Sequence, residues 1–555
     1  MRHALLLLSL WLASAAAAQS VEPLLVIASP DPNSFEGFGA WVAAVGDVDQ
    51  DGADDLVVAA PLAGGFNTGR VYLVSASGAI VSSVVTPNPR REGRFGSAAA
   101  FVGDINGDGP REALVGAPGE TSRTGEWFDY GGDGRAYVLA GGSGDVLFEL
   151  VSPNADTLGG TYLTGRFGAA VAGPGDLTGD GVPDFVVGAW EEDTAFQYAG
   201  RVYVFSGADG SLVRTITSPS EQHDGWFGFQ IEPVSDLDGD GVADLMVGAA
   251  REKPSPDAFT LGRVHVLSGA SGALLFTLDS GLESSLPAMD GDLAEVGDVD
   301  GDGIPDLAVG GPQAGPPSVV YLFSGATGER IRTIPDPDVA ETGLTQFGRS
   351  IAPVGDVDGD GVPDLFVGAP FATPDPTLGP TGRVSVVSGA TGEPLLTIAS
   401  THPRLNGRFG LSVAWTDIDG DGQNDPVVGA PYERLVAAEP TGGLVYLYTQ
   451  QALQEAFAGT VAGDPGATAG ALRLDAPRPH PASGRTTLDL RLGAAGTVRV
   501  DVVDALGRRV ALLADGEMAS GTHTVDLDVS GFAAGVYLVR ARTAEGTASR
   551  RVVVR

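Results

Sequence analysis

The sequence predicts an all-β chain, a seven-bladed β-propeller followed by a small β-sandwich. Three observations predict it. One acidic phrase recurs seven times, short apolar runs bounded by Gly, Asp and Pro surround each copy, and a different alternating pattern fills residues 472–555.

The phrase reads GDVDQDGADDLVVAAP from Gly46, GDINGDGPREALVGAP from Gly103, GDLTGDGVPDFVVGAW from Gly175 and SDLDGDGVADLMVGAA from Ser235. It continues as GDVDGDGIPDLAVGGP from Gly297, GDVDGDGVPDLFVGAP from Gly355 and TDIDGDGQNDPVVGAP from Thr416. The leading aspartates lie 57 to 72 residues apart. Phe-Gly stands nine residues ahead of them at Phe38, Phe95, Phe167, Phe227 and Phe347. Phe409 sits one residue closer, and Met289-Asp290 replaces the pair in the fifth copy.

Each unit reads as four short strands. A small-residue stretch follows Phe-Gly, and a run such as Leu365–Gly368 follows the acidic loop. A third strand follows Gly-Arg, as in Arg201–Phe205, and a fourth follows a Ser-Gly-Ala-Thr-Gly type of turn, as in Leu395–Ile398. Helical periodicity is absent before Thr449. Four strands per unit in seven units describe a propeller. The seventh unit lacks a fourth strand, while Leu24–Ser29 (LLVIAS) nearly repeats Leu395–Ser400 (LLTIAS). The N-terminal strand is therefore expected to complete the last blade and leave no open edge.

Within each loop, oxygen-bearing side chains hold the first, third, fifth and ninth places. These are Asp47, Asp49, Asp51 and Asp55; Asp104, Asn106, Asp108 and Glu112; Asp176, Thr178, Asp180 and Asp184; and Asp236, Asp238, Asp240 and Asp244. The last three sets are Asp298, Asp300, Asp302 and Asp306; Asp356, Asp358, Asp360 and Asp364; and Asp417, Asp419, Asp421 and Asp425. Four such donors in nine residues repel one another unless a cation sits among them. Hard oxygen ligands on a Gly-containing loop suit Ca²⁺, up to seven structural ions, better than Mg²⁺. Valine follows where an EF-hand requires its twelfth-position Glu (Val58, Val115, Val187, Val247, Val309, Val367 and Val428), so the loop runs into a buried strand. Asn106 and Thr178 lower the charge of the second and third sites and predict weaker binding there.

The loops hold 26 of the 71 acidic residues, so much of the net charge of −38 belongs to them. The remaining excess still disfavours nucleic acid and anionic membrane as partners. Cysteine is absent, which excludes thiol catalysis and Cys-ligated zinc. Residues 1–18, with Arg2-His3, an apolar run and Ala16-Ala17-Ala18, read as a secretory signal peptide, and no later run is long enough to span a membrane.

Phe-Gly, the acidic loop and Gly-Ala-Pro together resemble the FG-GAP repeat, and the units resemble the α-subunit propeller of integrins and its bacterial relatives over residues 19–449. The resemblance implies structural calcium on one face and partners on the opposite face. Gly-Ala-Trp and Gly-Ala-Ala in units three and four depart from the pattern, as does the missing Phe-Gly of unit five.

Loop lengths point to the same division. The metal loops keep one length, whereas the connections from strand two to three and from four to one vary, and in an up-and-down blade both variable loops share a face. The longest carry Trp127, Phe128 and Tyr130, then Trp190, Phe196 and Tyr198, with Tyr162 and Trp226 nearby. These aromatics are candidate anchors for an extracellular protein or glycan; folding down over their own blades is the alternative.

Residues 450–471 read as a linker, Gly/Ala-rich from Ala458 to Ala471. Beyond it, residues 472–555 alternate as an antiparallel, immunoglobulin-like sandwich. Pro479-His480-Pro481, Asp504–Arg508 and Ala534–Leu538 resemble the type A C-terminal sorting domain of the type IX secretion system, with His480 where that family has Asn. By that likeness the type IX machinery handles the chain, and the protein is secreted or held on the outer surface of a Gram-negative bacterium. A plain adhesive module is the alternative.

The function expected is adhesion or ligand binding rather than catalysis. His223, His265, His402, His480 and His523 form no local acid–base set, and no nucleophile elbow or phosphate loop appears. The alternative is a calcium-dependent polysaccharide lyase, although Lys253 is the propeller's lone lysine.

Overall fold

The structure is a computed structural model that describes residues 21–31, 35–49, 51–121, 132–141, 143–154, 165–253, 262–280, 289, 291–312, 318–338, 345–435, 442–461, 473–474, 485–492, 495–504, 509–532, 535–543 and 547–554. It divides into two compact units, Met1–Ala458 and Gly459–Arg555.

The first unit holds seven antiparallel sheets of four strands. Blade one runs Trp41–Gly46, Asp55–Ala60, Arg70–Val74 and Ile80–Val85, side by side in chain order. Blades two to six repeat that order from Ala99, Ala170, Phe227, Leu293 and Ser350. Blade seven takes Ser412–Thr416, Asp425–Ala430 and Leu444–Leu447 from the last repeat and its outer strand, Leu25–Ala28, from the N-terminus. Val26 faces Tyr446 and Ala28 faces Leu444. The ring closes as the sequence predicts.

Burial explains the residue choice along each blade. The second strand, as in Asp184–Ala189, is buried throughout because both its faces meet neighbouring blades. The outer strand Ile80–Val85 instead alternates between half-buried and exposed. The core therefore lies between sheets. Leu114, Val138 and Leu150 of blade two pack with Phe167, Val187 and Phe205 of blade three, and Ile27, Val427 and Val445 join blade one across the closure.

The glycines of the repeat make this spacing possible. Gly168 of Phe-Gly donates its N–H to the Gly188 carbonyl of its own blade at 3.0 Å. Its own carbonyl presses on Gly116 of the preceding blade, where a Cβ would lie 1.9 Å away. The same contact joins Gly188 to Gly228 (2.3 Å), Gly310 to Gly348 (2.0 Å), Gly368 to Gly410 (2.1 Å) and, across the closure, Gly429 to Gly39 (2.1 Å). The fully buried phenylalanines bridge to the glycine before the preceding blade's third strand, as in Gly200 with Phe227. Met289 fills that place in the fifth repeat, 2% exposed and against Gly262. In blade four the described atom nearest a Cβ added to Gly248 belongs to Gln230 of the same blade, 3.6 Å away, and Asp290, at the place of the seam glycine, lies outside the described residues.

The predicted linker differs in its first half. Gln450–Val461 is an α-helix whose Leu453, Ala456 and Phe457 pack into the core of blades six and seven. Thr449 caps it, its Oγ1 accepting from the Ala452 N–H at 3.1 Å. The Gly/Ala-rich composition beyond Ala458 hid a short apolar stripe at helical spacing. Residues 462–472 lie outside the described ones.

In the second unit, strands Arg473–Leu474, Arg485–Leu492 and Gly521–Asp528 form one sheet. Arg509–Met518, Gly496–Asp504, Gly535–Arg542 and Thr547–Val554 form another. Leu488, Leu490 and Val525 of the first share one core with Val500, Val539 and Val552 of the second. The predicted turn at Ala505–Arg508 falls outside the described residues.

Two alanine substitutions separate seam packing from general intolerance of glycine loss. Gly188→Ala is expected to destabilise the protein by roughly 2 kcal/mol or more, because its methyl meets a rigid backbone carbonyl. Gly65→Ala, at φ −65° with no described atom within 4 Å of an added Cβ, should stay within about 0.5 kcal/mol of wild type in chemical denaturation.

Candidate metal centre

Each acidic loop joins the first two strands of a blade, so all seven emerge on one face of the ring. Its ninth residue opens the second strand and is buried: Asp55, Glu112, Asp184, Asp244, Asp306, Asp364 and Asp425 are at most 1% exposed. Backbone donors hold it. One oxygen of Asp244 accepts from the Leu237 N–H at 2.9 Å and the other from the Gly269 N–H at 3.0 Å. Asp306 and Asp364 repeat this with Val299 and Gly325, and with Val357 and Gly389. In blade seven the Gln450 N–H of the helix donates instead, at 2.7 Å from Asp425 Oδ1.

The other carboxylates of each loop lie outward and shape the turn. Asp236 accepts from the N–H groups of Gly239, Asp240 and Gly241, and these hold its carboxyl below the ordinary aspartate range. Asp238 accepts from Asp240, and Asp240 from Val242. The side chains thus converge before any ion is considered. In Asp47-Asp49-Asp55, Asp104-Asp108-Glu112, Asp236-Asp238-Asp244, Asp298-Asp300-Asp302 and Asp356-Asp358-Asp360, one carboxylate oxygen from each residue lies within 4.8 Å of the others.

Burial pushes the ninth carboxyl up, with neighbouring loop acids adding to the rise in several blades: Asp364 reaches about 6 and Asp425 about 7. Asp425 Oδ2 is buried with no hydrogen-bond partner. A buried carboxylate oxygen facing like charges, on an all-oxygen donor set, fits a hard divalent cation, which would bring those carboxyls back to the ionised form.

A family model described as FG-GAP repeat matches residues 38–74, 95–139, 167–205, 227–267, 293–326, 347–387 and 409–448. The chain belongs to the FG-GAP repeat proteins. A second model, the secretion system C-terminal sorting domain, matches residues 479–555, so this FG-GAP protein is secreted or carried on the outer surface through the type IX system. Integrin alpha-5 of Xenopus laevis is 31% identical over 199 residues, 33% of this chain and 18% of that protein. Integrin alpha-4 of Xenopus laevis is 30% identical over 294 residues, 50% of this chain and 25% of that protein. The FG-GAP chain thus spans at most about a quarter of the length of these relatives. PorZ, an essential bacterial surface component of the type-IX secretion system of Porphyromonas gingivalis, overlaps with a TM-score of 0.40 at 13% identity, covering 96% of this chain and 61% of that one. An overlap that loose carries no argument.

The predicted aromatic face is divided. Trp127, Phe128, Tyr130 and Tyr162 lie outside the described residues. Trp190, half-buried, packs on Trp226 with centroids 4.5 Å apart and on Phe229 at 5.6 Å, and Arg251 lies 3.6 Å over the Trp226 ring. Phe196 is 36% exposed and meets His223 edge-on, while Tyr198 is half-buried with φ 51°. Trp190 and Phe196 of the third repeat therefore pack on residues at the start of the fourth, and Phe196 is the most open.

Sequence reasoning missed two sets of polar residues. A buried acid follows the Gly-Ala-x-x frame as Glu120, Glu192, Glu252 and Glu433, each accepting from a Ser or Thr of the preceding blade's connection: Thr86, Ser152, Ser218 and Ser400. The third strand supplies Tyr137, Tyr203, His265 or Tyr446 to the same carboxylate. The recurrence of Glu in that frame was the available signal. The second set lines a central cavity of about 430 Å³ bounded by the inner strands, where Glu232, Asp292 and Arg349 meet Trp41 and Phe229. Burial pushes Asp292 up to about 6 and, with the charges of Asp292 and Glu295, raises Glu232 well above the ordinary glutamate value. These acids stand at unrelated repeat positions, so no pattern marked them.

Two expected outcomes separate the roles of the carboxylates. Asp238→Asn keeps an acceptor for the Asp240 N–H and removes one charge, so calcium affinity by calorimetry should fall while the chelated protein melts unchanged. Asp244→Asn turns an amide N–H toward one of two backbone donors and should destabilise even the chelated protein by about 1–3 kcal/mol.

Burial also raises Glu433 to about 8. The folded state then holds a proton that the unfolded chain has released, so stability is expected to fall as pH rises from the ordinary glutamate value toward 8. Glu433→Gln should flatten that slope in denaturant titrations across the same range, and a slope equal to wild type would contradict the assignment.

Proposed function

We propose that the chain is an extracellular propeller, stiffened by structural calcium in its seven acidic loops, that captures a protein or glycan on the opposite face. One observation carries this reading: the loops on one face keep a single length and a shared hydrogen-bond scheme, while the connections from strand two to three on the other run from 7 residues in blade five to 17 in blade two. A face held constant is scaffold; a face varied on a rigid scaffold is where binding is placed.

The non-catalytic part of the reading draws support from where the acid–base groups lie. His265 and Glu252 meet at 2.8 Å, but both are fully buried, out of reach of a polymer. The recognised relatives are integrin subunits, and their adhesive role comes to this chain as a proposal.

The test is capture of the calcium-loaded chain on glycan and protein arrays, repeated for Phe196→Ala and Trp190→Ala. We expect Phe196→Ala to weaken binding about ten-fold or more with melting near wild type, and Trp190→Ala to weaken it while also lowering the melting temperature, since its ring packs on Trp226 and Phe229. Unaltered capture by both variants removes these aromatics from the binding face. A steady gain of unsaturated product from a polyuronate would replace binding by a lyase activity.

A further inference from the structure

In a chain with 71 acids and 33 basic side chains, a guanidinium without a carboxylate beside it calls for a reason. Arginine precedes the Phe of Phe-Gly in repeats two, three and seven as Arg94, Arg166 and Arg408. Arg94 pairs with Glu92 at 3.3 Å and Arg166 with Glu191 at 3.4 Å. In the seventh repeat the place of Glu92 is taken by Asn406 and the place of Glu191 by Tyr432. Both counter-charges are gone. Arg408 instead lies over the rings of Phe371 and Tyr432, 5.1 and 4.9 Å from their centroids, and its Nε is buried with no hydrogen-bond partner.

Arg404 stands beside it. Its Nη1 donates to the Tyr432 carbonyl at 3.0 Å, and burial together with the charge of Arg434 lowers its pKa from the ordinary arginine value. Neither Arg404 nor Arg408 forms an ion pair among the described residues. With Phe35, Leu405, Asn406 and Tyr432 they line a groove of about 440 Å³ on the variable-loop face. Phe35 is 66% and Leu405 56% exposed, an apolar border to a positive floor.

We propose that this groove binds a uronate residue of an acidic glycan. Arg404 and Arg408 take the carboxylate through planar N–H pairs, and Phe35 and Leu405 border the apolar C–H face of the sugar ring. A carboxylate fixed to a rigid ring beside a C–H face matches this pairing of charge and apolar surface. An acidic peptide would first have to order a flexible chain to present the same two features. The proposal deepens the binding-face reading and takes its setting from it, but uses none of the metal loops.

The experiment is calorimetric titration of trigalacturonate into the full chain in calcium buffer. The carboxyl-reduced trisaccharide and hexaglutamate serve as comparisons, with Arg404→Gln and Arg408→Gln as variants. Gln346 holds the place of Arg408 in the sixth repeat at φ 58°, so the second substitution suits its backbone. Expected are saturable binding of trigalacturonate, at least about a ten-fold loss in each variant at unchanged melting, and no binding of the reduced sugar. Absent wild-type binding, undiminished binding in the variants, equal binding of the reduced sugar or tighter binding of hexaglutamate would each overturn it. A chain that binds trigalacturonate yet melts alike with and without chelator would refute the calcium reading and leave this site standing.

Discussion

Five of the ring's seven seams rest on backbone meeting backbone between adjacent blades, and Ala59 takes the glycine's place at another. The carbonyl of one blade's Phe-Gly rests against the second-strand glycine of the blade before it, a contact with no room for even a methyl group at Gly116, Gly310 or Gly429. That closeness fixes the distance between sheets. It also decides that the second strand is buried on both faces, since nothing larger than the intervening side chains fits there. The phenylalanine supplies the bulk that the glycines give up, filling the gap beside the third strands. Close packing of this kind transmits strain, so a ring built on it holds its connections at fixed places.

On that frame the acidic face solves a different problem. A carboxylate at the start of each second strand lies in a low-dielectric seam and is kept there by one to three backbone N–H groups. The remaining loop acids face water and turn the chain back by accepting from its amides. The resulting arrangement is stable in its hydrogen bonds but not in its charge. Like charges crowd within a few ångströms, and the buried acid is driven toward its neutral form. A divalent ion would resolve the charge without altering the hydrogen bonds, and the loop geometry is shared even where Asn106 or Thr178 replaces an acid. The buried glutamates after Gly-Ala-x-x clamp successive blades on the other side of the same second strand. Seam contacts, metal loops and polar clamps thus act on one structural element.

Much of this was legible in the sequence because repetition supplies its own alignment. The four strands, the ring closure by Leu25–Ala28 and the places of the loop acids follow from comparing seven copies within one chain. What comparison could not reveal lies where a feature occurs once. The helix Gln450–Val461 has no counterpart in other repeats, and its apolar stripe is a single turn long on either side of Leu453. Glu232 and Asp292 meet in the cavity from different positions of different blades. Trp190 and Trp226 were visible as aromatics, but their mutual stacking, with Arg251 over the outer ring, depends on two blades being neighbours. The recurrent buried glutamates were present in the pattern but masked, since the loop acids already accounted for much of the charge.

A repeat protein departs from its own symmetry for a reason, and the departures that follow Gly-Ala-x fall on the variable-loop face. Around the axis the residue after Gly-Ala-x is Glu191 in blade three, Arg251 in blade four, Phe371 in blade six and Tyr432 in blade seven. Each meets a different partner: Arg166, Trp226, and Arg408 from two sides. Identical backbone thus presents an ion pair in one sector, a cation on a tryptophan in the next, and an arginine between two rings in another. The glycine seam holds these sectors at fixed angles, so their chemistry can diverge without disturbing the ring. A surface with that property can distinguish ligands by where charge and apolar area fall on them, and the opposite face, occupied by its loop acids, has no such freedom.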